Sequence, residues 1–342
     1  MDPADFDYDL PESAIAQTPV EPRDRARLLV DRGQGQPPEH RTVADLPALV
    51  RPGDVLVVNT SRVLPARLRL RKPTGGAVEV LLLERLATGG WEALVRPSRR
   101  VAPGTELAAG DGLVVRVGGA GPADGTRLVE LRMPPGADEL AVLGRHGTVP
   151  LPPYIRAPLA DPERYQTVFA EHPGSVAAPT AGLHLTPAVL DACRAAGARV
   201  ETVDLAVGMG TFRPMTGRKV EDHHMHAERY RVPERTLAAC EAAGAGPVKG
   251  RVVAVGTTTV RALESAMLSG EPEGRTELFI RRPWRWHTVD VLVTNFHLPR
   301  SSLLALVDAF IGPRWRELYD AALAAGYRFL SFGDAMWVER RG

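Results

Sequence analysis

From about Asp54 to Leu131 the chain runs in short apolar or alternating stretches, at residues 55–58, 66–70, 78–83, 91–95, 113–117 and 127–131. Alternation sends successive side chains to opposite faces, which is the pattern of half-buried strands. Turn signals separate the runs: Thr74-Gly75-Gly76, Thr88-Gly89-Gly90, Pro103-Gly104, Gly110-Asp111-Gly112 and Gly118-Gly119-Ala120-Gly121, with Pro134-Pro135-Gly136 closing the region. No helical stretch falls among these runs, so the spacing predicts a small antiparallel barrel. After Leu151-Pro152-Pro153 the rhythm changes. Thr186-Pro187 offers an N-cap and a first-turn proline, and Gly197 can close that helix. There follow a strand over 199–207, a helix over 233–243, a strand over 251–255 and a helix over 259–268. A strand over 289–294 and helices over 301–310 and 314–325, parted by Gly312-Pro313, complete the pattern. Strands alternating with helices predict an α/β domain. The first fifty residues have no barrel-like rhythm and are assigned to it. The expected fold is α/β: a large mixed α/β domain (1–62 and 151–342) with a small inserted antiparallel β-barrel domain (63–150).

Composition narrows this picture only a little. The 342 residues are 44% hydrophobic and 24% charged, as in a soluble globular protein with one or two domains. A formal net charge of +1 neither demands nor excludes a nucleic-acid partner, so only local patches can hold phosphate. Cys193 and Cys240 lack a Cys-x-x-Cys spacing and read as buried small hydrophobes rather than a disulfide. The start, Met1-Asp2-Pro3-Ala4-Asp5, is acidic and has no apolar signal core, and no stretch approaches a membrane span. A cytoplasmic protein with no membrane partner is expected.

Candidate chemistry concentrates in four segments: residues 177–184, 221–226, 255–261 and 293–299. Val255-Gly256-Thr257-Thr258-Thr259 follows a strand and opens a helix. Its glycine permits a tight turn, and the free amides at the helix start attract a carboxylate or phosphate; a plain capped turn has the same pattern. Thr180, Gly182 and His184 sit where backbone can approach a ligand, and His184 suits acid–base work. A lone histidine beside leucine is equally a structural residue. Asn295 and His297 end an apolar strand and share a face. On a helix His223 and His226 would share a face too, with His184 or His297 completing a metal site. The His-Glu-x-x-His pattern of a zinc protease is missing, so no metal is expected. Asp222, Glu221 and Glu228 can instead fix imidazole tautomers. Basic residues alternate with aromatics at 281–287, where Trp284 and Trp286 would be core residues if the segment is a strand. Arg96, Arg99 and Arg100 form a positive patch on the barrel, as do Arg67, Arg69, Arg71 and Lys72.

Taken in order, these segments and several others resemble the S-adenosylmethionine:tRNA ribosyltransferase-isomerase family of queuosine biosynthesis. The likeness begins at Phe6-Asp7-Tyr8-Asp9-Leu10-Pro11 and Asn59-Thr60-Ser61-Arg62-Val63-Leu64-Pro65-Ala66-Arg67. It continues through Leu151-Pro152-Pro153-Tyr154-Ile155, Tyr165-Gln166-Thr167-Val168-Phe169, 177–184, Gly208-Met209-Gly210-Thr211-Phe212, 222–226, 255–261 and 294–299. It ends at Phe332-Gly333-Asp334-Ala335-Met336. The resemblance implies the same two-part fold. It implies S-adenosylmethionine as ribosyl donor and, as acceptor, the aminomethyl group of a 7-deazaguanine (preQ1) at the wobble position of tRNA. Products would be epoxyqueuosine-tRNA, adenine and methionine, made without a metal by a monomer. His184, His226 and His297 then become acid–base candidates, with Asp222 beside them. Gly256, Thr257 and Thr258 would hold an anionic group such as the methionyl carboxylate. Thr180, Gly182, Asn295 and Arg261 would orient the substrate, and Arg62, Arg96, Arg99 and Arg100 would meet RNA.

The chain departs from the family pattern at Ala206, where His is usual, at Asn59-Thr60-Ser61-Arg62, and at Arg282-Pro283. Ribosyl transfer to a small molecule, a non-catalytic RNA-binding relative and a hydrolytic metalloenzyme are the competing readings.

Overall fold

The run Val-Leu-Val-Val that opens the β-rich region is central to a large sheet rather than part of a barrel. Strand Val55–Asn59 is buried at all five residues, as expected of a strand covered on both faces. In the computed structural model, which describes residues 1–33, 35–110, 112–208, 215, 219–245 and 249–340, it lies fourth of nine strands. The order is Glu273–Thr276, Glu228–Arg231, Arg199–Leu205, Val55–Asn59, Val252–Val255, Val291–Asn295, Ala335–Glu339, Arg27–Asp31 and Glu39–Thr42. Arg199–Leu205, Val55–Asn59, Val252–Val255 and Val291–Asn295 are mutually parallel, so all four end at one edge.

Alternate residues of these strands, Leu56, Val58, Val253, Val255, Val291 and Val293, share a core with Val189, Leu190 and Cys193 of helix Pro187–Ala195. The intervening residues turn to the other face, where helices Glu234–Ala245 and Thr257–Ser269 pack on the strands. The chain leaves Val55–Asn59 for Arg199–Leu205 on one side and later returns to Val252–Val255 on the other. The winding therefore reverses at Val55–Asn59, and its carboxyl end is the switch point of the sheet.

Two compact units partition the chain. One comprises Met1–Ser61, Pro152–His172 and Ala178–Gly342, the other Arg62–Leu151 and Pro173–Ala177. The second is a closed antiparallel barrel in the order Arg67–Arg71, Ala77–Arg85, Trp91–Arg96, Arg127–Arg132, Leu113–Ala120 and Glu106–Gly110. Arg71 meets Ala108 to close it, and Gly147–Thr148 adds to the first strand. Its interior is lined by Leu68, Leu70, Val80, Val95, Val115 and Val117, all buried. Strand Glu106–Gly110 and helix Glu139–His146 are not legible in the apolar pattern. The strand reads Glu-Leu-Ala-Ala-Gly and lacks β-branched residues; the helix rests on a cap, Asp138 accepting from the Ala141 amide. Cys193 and Cys240 are buried thiols. Among the described residues no helix is long and apolar enough to cross a membrane. Asp111 of the Gly110-Asp111-Gly112 turn lies outside the described residues.

Candidate active site

Three of the four polar segments meet at the edge where the parallel strands end. Asn295 closes Val291–Asn295, Gly256 follows Val252–Val255, and Asn59 closes Val55–Asn59. Asn295 is 2% exposed and joins the first segment to the last. Its Oδ1 accepts from Thr180 Oγ1 at 2.8 Å, while its Nδ2 donates to the Asp334 carbonyl at 3.3 Å and to His184 Nε2 at 3.1 Å. The Asp334 carbonyl can only accept, so the amide orientation is determined. His184 Nε2 is then an acceptor, and the neutral ring carries its proton on Nδ1.

Burial pushes the His184 pKa down to about 4, with Asp334 pulling it up and Arg328, Arg164 and Arg23 pushing it further down. Burial alone lowers His297 to about 3. Its Nε2 lies 2.9 Å from Thr294 Oγ1, and its amide donates to the Tyr319 hydroxyl at 2.9 Å. Both rings are neutral at physiological pH. Charging either one in place is opposed by lost hydration.

The glycines are there for different reasons. Gly182 lies in the 3-10 turn Thr180–His184, where a Cβ would stand 2.8 Å from Phe169 Cζ and 3.0 Å from Thr167 Cγ2. Gly256 has space but a φ of +91°, which an L side chain adopts only under strain. Its amide donates to the Val293 carbonyl at 2.7 Å, tying the turn to the neighbouring strand end. Thr257 and Thr258 open the helix after it. Asn59 Nδ2 donates to Thr258 Oγ1 at 3.2 Å, and Thr259 Oγ1 donates to the Val255 carbonyl at 2.6 Å. The first-turn amides of this helix have no partners within it, an arrangement that attracts negative charge.

Arg261 is 2% exposed and engaged by protein groups. It pairs with Glu228 and donates to the carbonyls of Leu278 at 3.0 Å and Thr276 at 3.4 Å. Glu228 also accepts from the Gly208 amide at 2.8 Å, so it serves this pair rather than an imidazole tautomer. Fully buried Glu264 holds the basic–aromatic segment, accepting from the amides of His287 and Thr288 at 3.1 Å and from Trp284 Nε1 at 3.3 Å. That segment is not a strand, and Trp284 and Trp286 meet edge to face at 6.4 Å.

The segment 221–226 stands apart. Only Val220–Asp222 forms a 3-10 turn, so helical spacing does not bring His223 and His226 to one face. Asp222 and His226 are exposed, and among the described residues no hydrogen bond or ion pair joins their side chains to the other segments. His223 packs edge-on to Phe279 at 5.4 Å. Among the described residues no three His, Cys, Asp or Glu side chains are arranged to hold a metal ion. Residues 209–212 of the Gly208-to-Phe212 segment lie outside the described residues. Ala206 is half-buried, its amide donating to the Arg229 carbonyl at 3.1 Å. On the barrel, Arg96, Arg99 and Arg100 are exposed and Arg62 is half-buried.

The sequence pattern of the family described as "Queuosine biosynthesis protein" matches residues 3–338. The chain belongs to this family. A relative from Thermus thermophilus, named S-adenosylmethionine:tRNA ribosyltransferase-isomerase, is 51% identical over 348 residues, covering 97% of this chain and 98% of its own. One of the same name from Thermotoga maritima is 49% identical over 345 residues, covering 99% and 100%. The crystal structure of an S-adenosylmethionine tRNA ribosyltransferase from Thermotoga maritima aligns with a TM-score of 0.54 at 38% identity, covering 98% of this chain and 99% of that one. The family likeness therefore extends over both the sheet and the barrel.

Two residues of the site carry more than their sequence signal suggests. Asn59 binds both main-chain groups of Leu205 and reaches Thr258, so it couples three strand ends. Asp334 accepts from the amides of Arg27 at 2.9 Å and Arg328 at 2.8 Å, holding the loop whose carbonyl orients Asn295. Both stand in segments that carry the family resemblance, yet neither residue type alone distinguishes a hub from an ordinary turn.

Proposed function

We propose that this protein transfers and isomerises the ribosyl unit of S-adenosylmethionine onto the preQ1 wobble base of tRNA, giving epoxyqueuosine-tRNA, adenine and methionine. One observation carries the reading: relatives of that name match the chain from end to end at about half identity. The sulfonium of the donor acidifies the adjoining C5′ hydrogens, so a proton acceptor is needed there, and a proton must reach the departing adenine. Proton transfers and leaving groups suffice for this chemistry, without a metal.

The residues divide by burial. His184 and His297 are held neutral, which suits accepting a hydrogen bond from the substrate and not donating from an imidazolium. A substrate group must displace the Asn295 amide to reach the His184 Nε2 lone pair. His226, with Asp222 in the same segment, is exposed and stands for the donor role in this reading. After the turn at Gly256, Thr257 and Thr258 offer their amides to the methionyl carboxylate. Thr180, Gly182 and Asn295 shape the approach, and Arg261 acts through the segments that it ties together. Exposed Arg96, Arg99 and Arg100, with Arg62, meet the tRNA backbone. In this reading the protein works as a monomer in the cytoplasm, where tRNA is found.

The test mixes the protein with S-adenosylmethionine and preQ1-tRNA and follows adenine, methionine and tRNA mass. Coupled release and mass gain are expected. Release of neither product, with a relative active in parallel, sinks the proposal, and sedimentation at working concentration checks the monomer.

A further inference from the structure

A cavity of about 560 Å³ opens beside the switch point, and none of the candidate catalytic, substrate-binding or RNA-binding residues lines it. Thr60 directly follows the central strand. Thr202 and Asp204, two apart on the next strand, share a face of it, and His172 completes this wall. The volume falls in the range that holds a nucleoside-sized ligand, and the place is where a doubly wound sheet binds ligands.

The wall is built rather than incidental. Thr60 is 2% exposed, and its hydroxyl donates to the Val203 carbonyl at 3.1 Å. That hydroxyl proton being committed, His172 Nδ1, 3.2 Å away, must donate to Thr60 Oγ1. The neutral ring thus keeps its lone pair on Nε2. Asp204 is half-buried; burial holds its carboxyl above the ordinary range, and His172, Arg229 and Arg231 pull it back.

The charge of the lining indicates the ligand. Arg231 is matched by Glu273 at 3.8 Å and Arg235 by Glu201 at 3.5 Å. Glu171, Asp204 and Glu234 also line the cavity, so carboxylates outnumber guanidiniums there. Such a lining attracts a cation and disfavours the phosphate backbone. The acceptor base of the proposed reaction joins a purine-sized ring to an alkyl ammonium group through one carbon, and it must lose a proton before its nitrogen can attack carbon.

We propose that this cavity receives the acceptor base, a purine-sized ring carrying a primary ammonium group, with Asp204 as its counter-ion and His172 as the base that takes its proton. The step balances within the site: the ammonium gives one proton to His172 Nε2, leaving a neutral amine with its lone pair and an imidazolium. The assignment rests on the tRNA reaction proposed above and adds to it the side that recognises the acceptor. The charged groups that line the cavity with His172 are Glu171 beside it, Asp204 on the adjacent strand, Arg231 on the next, Glu273 on the one beyond, and Glu234 and Arg235 at the start of the following helix.

The experiment compares wild type, Asp204→Asn and His172→Gln, using preQ1-tRNA and the same tRNA with guanine at the wobble position. Wild type is expected to bind preQ1-tRNA about tenfold or more tighter, the fold-change that a charge-assisted hydrogen bond carries. Asp204→Asn should lose that preference while holding the guanine tRNA as before, which also shows that it is folded. His172→Gln should keep the preference and lose turnover at neutral pH. Its rate should recover as pH rises toward about 10, where an alkyl ammonium deprotonates unaided. An Asp204→Asn variant that keeps both preference and turnover overturns the proposal, as does a wild type with no preference. Absent turnover in a wild type whose preference depends on Asp204 sinks the proposed reaction and leaves the cavity assignment standing.

Discussion

Two histidines held neutral in the fold make the main unit sensitive to mild acid, and the size of the effect follows from their pKa values. In the unfolded chain an imidazole titrates near 6.5; in the fold His184 waits until about 4 and His297 until about 3. Below pH 6.5 the unfolded chain therefore binds protons that the native state refuses, and stability falls as pH falls. Each residue contributes about 1.4 kcal/mol per pH unit across its window. Between pH 6.5 and about 4 that is about 3–4 kcal/mol each, about 7 kcal/mol together, against a usual total of about 5–15 kcal/mol. The contribution is complete above pH 6.5 and does not change further toward the alkaline side.

The assay is urea unfolding across this range for wild type, His184→Gln and His297→Gln. Glutamine keeps an acceptor near the Nε2 position but does not titrate. Of the five tryptophans only Trp91 is in the barrel, so a Trp91→Phe background lets fluorescence follow the main unit, where Trp315 and Trp337 are fully buried. Each variant should flatten the profile by about 1.4 kcal/mol per pH unit relative to wild type, so carboxylate titrations common to all cancel. Parallel profiles for the three proteins would refute the claim that burial keeps these rings neutral. The acceptor role assigned to them would fall with it.

Arg261→Met should cost about 3–5 kcal/mol by leaving Glu228 buried without its guanidinium, read by denaturant midpoint, with donor affinity of the folded protein unchanged. Gly256→Ala should lose about 1–2 kcal/mol to its left-handed backbone and also weaken donor binding, which titration calorimetry detects. In Gly182→Ala the new methyl collides with Phe169 and Thr167, for a loss of about 1–3 kcal/mol in the same denaturant assay. Replacing Arg96, Arg99 and Arg100 together by alanine should weaken tRNA binding and lower the slope of log Kd against log salt by about 2–3; an unchanged slope removes the barrel patch from the interface.

The periodic parts of this fold are the legible parts. Strand Val252–Val255 and the helix opening at Thr257 follow from an apolar run, a glycine and good helix formers, and the barrel follows from alternation punctuated by glycines. Val55–Asn59 shows the limit. Its apolar run suits a barrel wall or a central strand equally, and only its long-range parallel partners decide. The outer strands Arg27–Asp31 and Ala335–Glu339 pair in parallel across nearly the whole chain, a contact no local window contains. The same holds for the candidate site. Histidine density at strand ends pointed to the edge, whereas Thr60, His172 and Asp204 are single residues, dispersed along the chain, that only folding collects into a cavity wall.

Burial also changes what the histidine-rich segments can do. A sequence reading treats His184, His226 and His297 as equivalent acid–base candidates because imidazole is suited to both roles near neutral pH. Folding separates them. The two at strand ends lose water and become neutral, hydrogen-bonded parts of the edge; the third stays in solvent. The proposed donor is itself a cation at sulfur, and neutral imidazoles neither repel it nor compete for the carboxylate that the Gly256 turn would hold. Beside the Gly256 turn the positive charge of Arg261 is neutralised by Glu228, while exposed guanidiniums sit on the barrel. The charge pattern thus separates the two substrates of the proposed reaction. Uncharged and acidic surroundings suit the sulfonium and the ammonium, and the basic barrel patch suits the phosphates of tRNA.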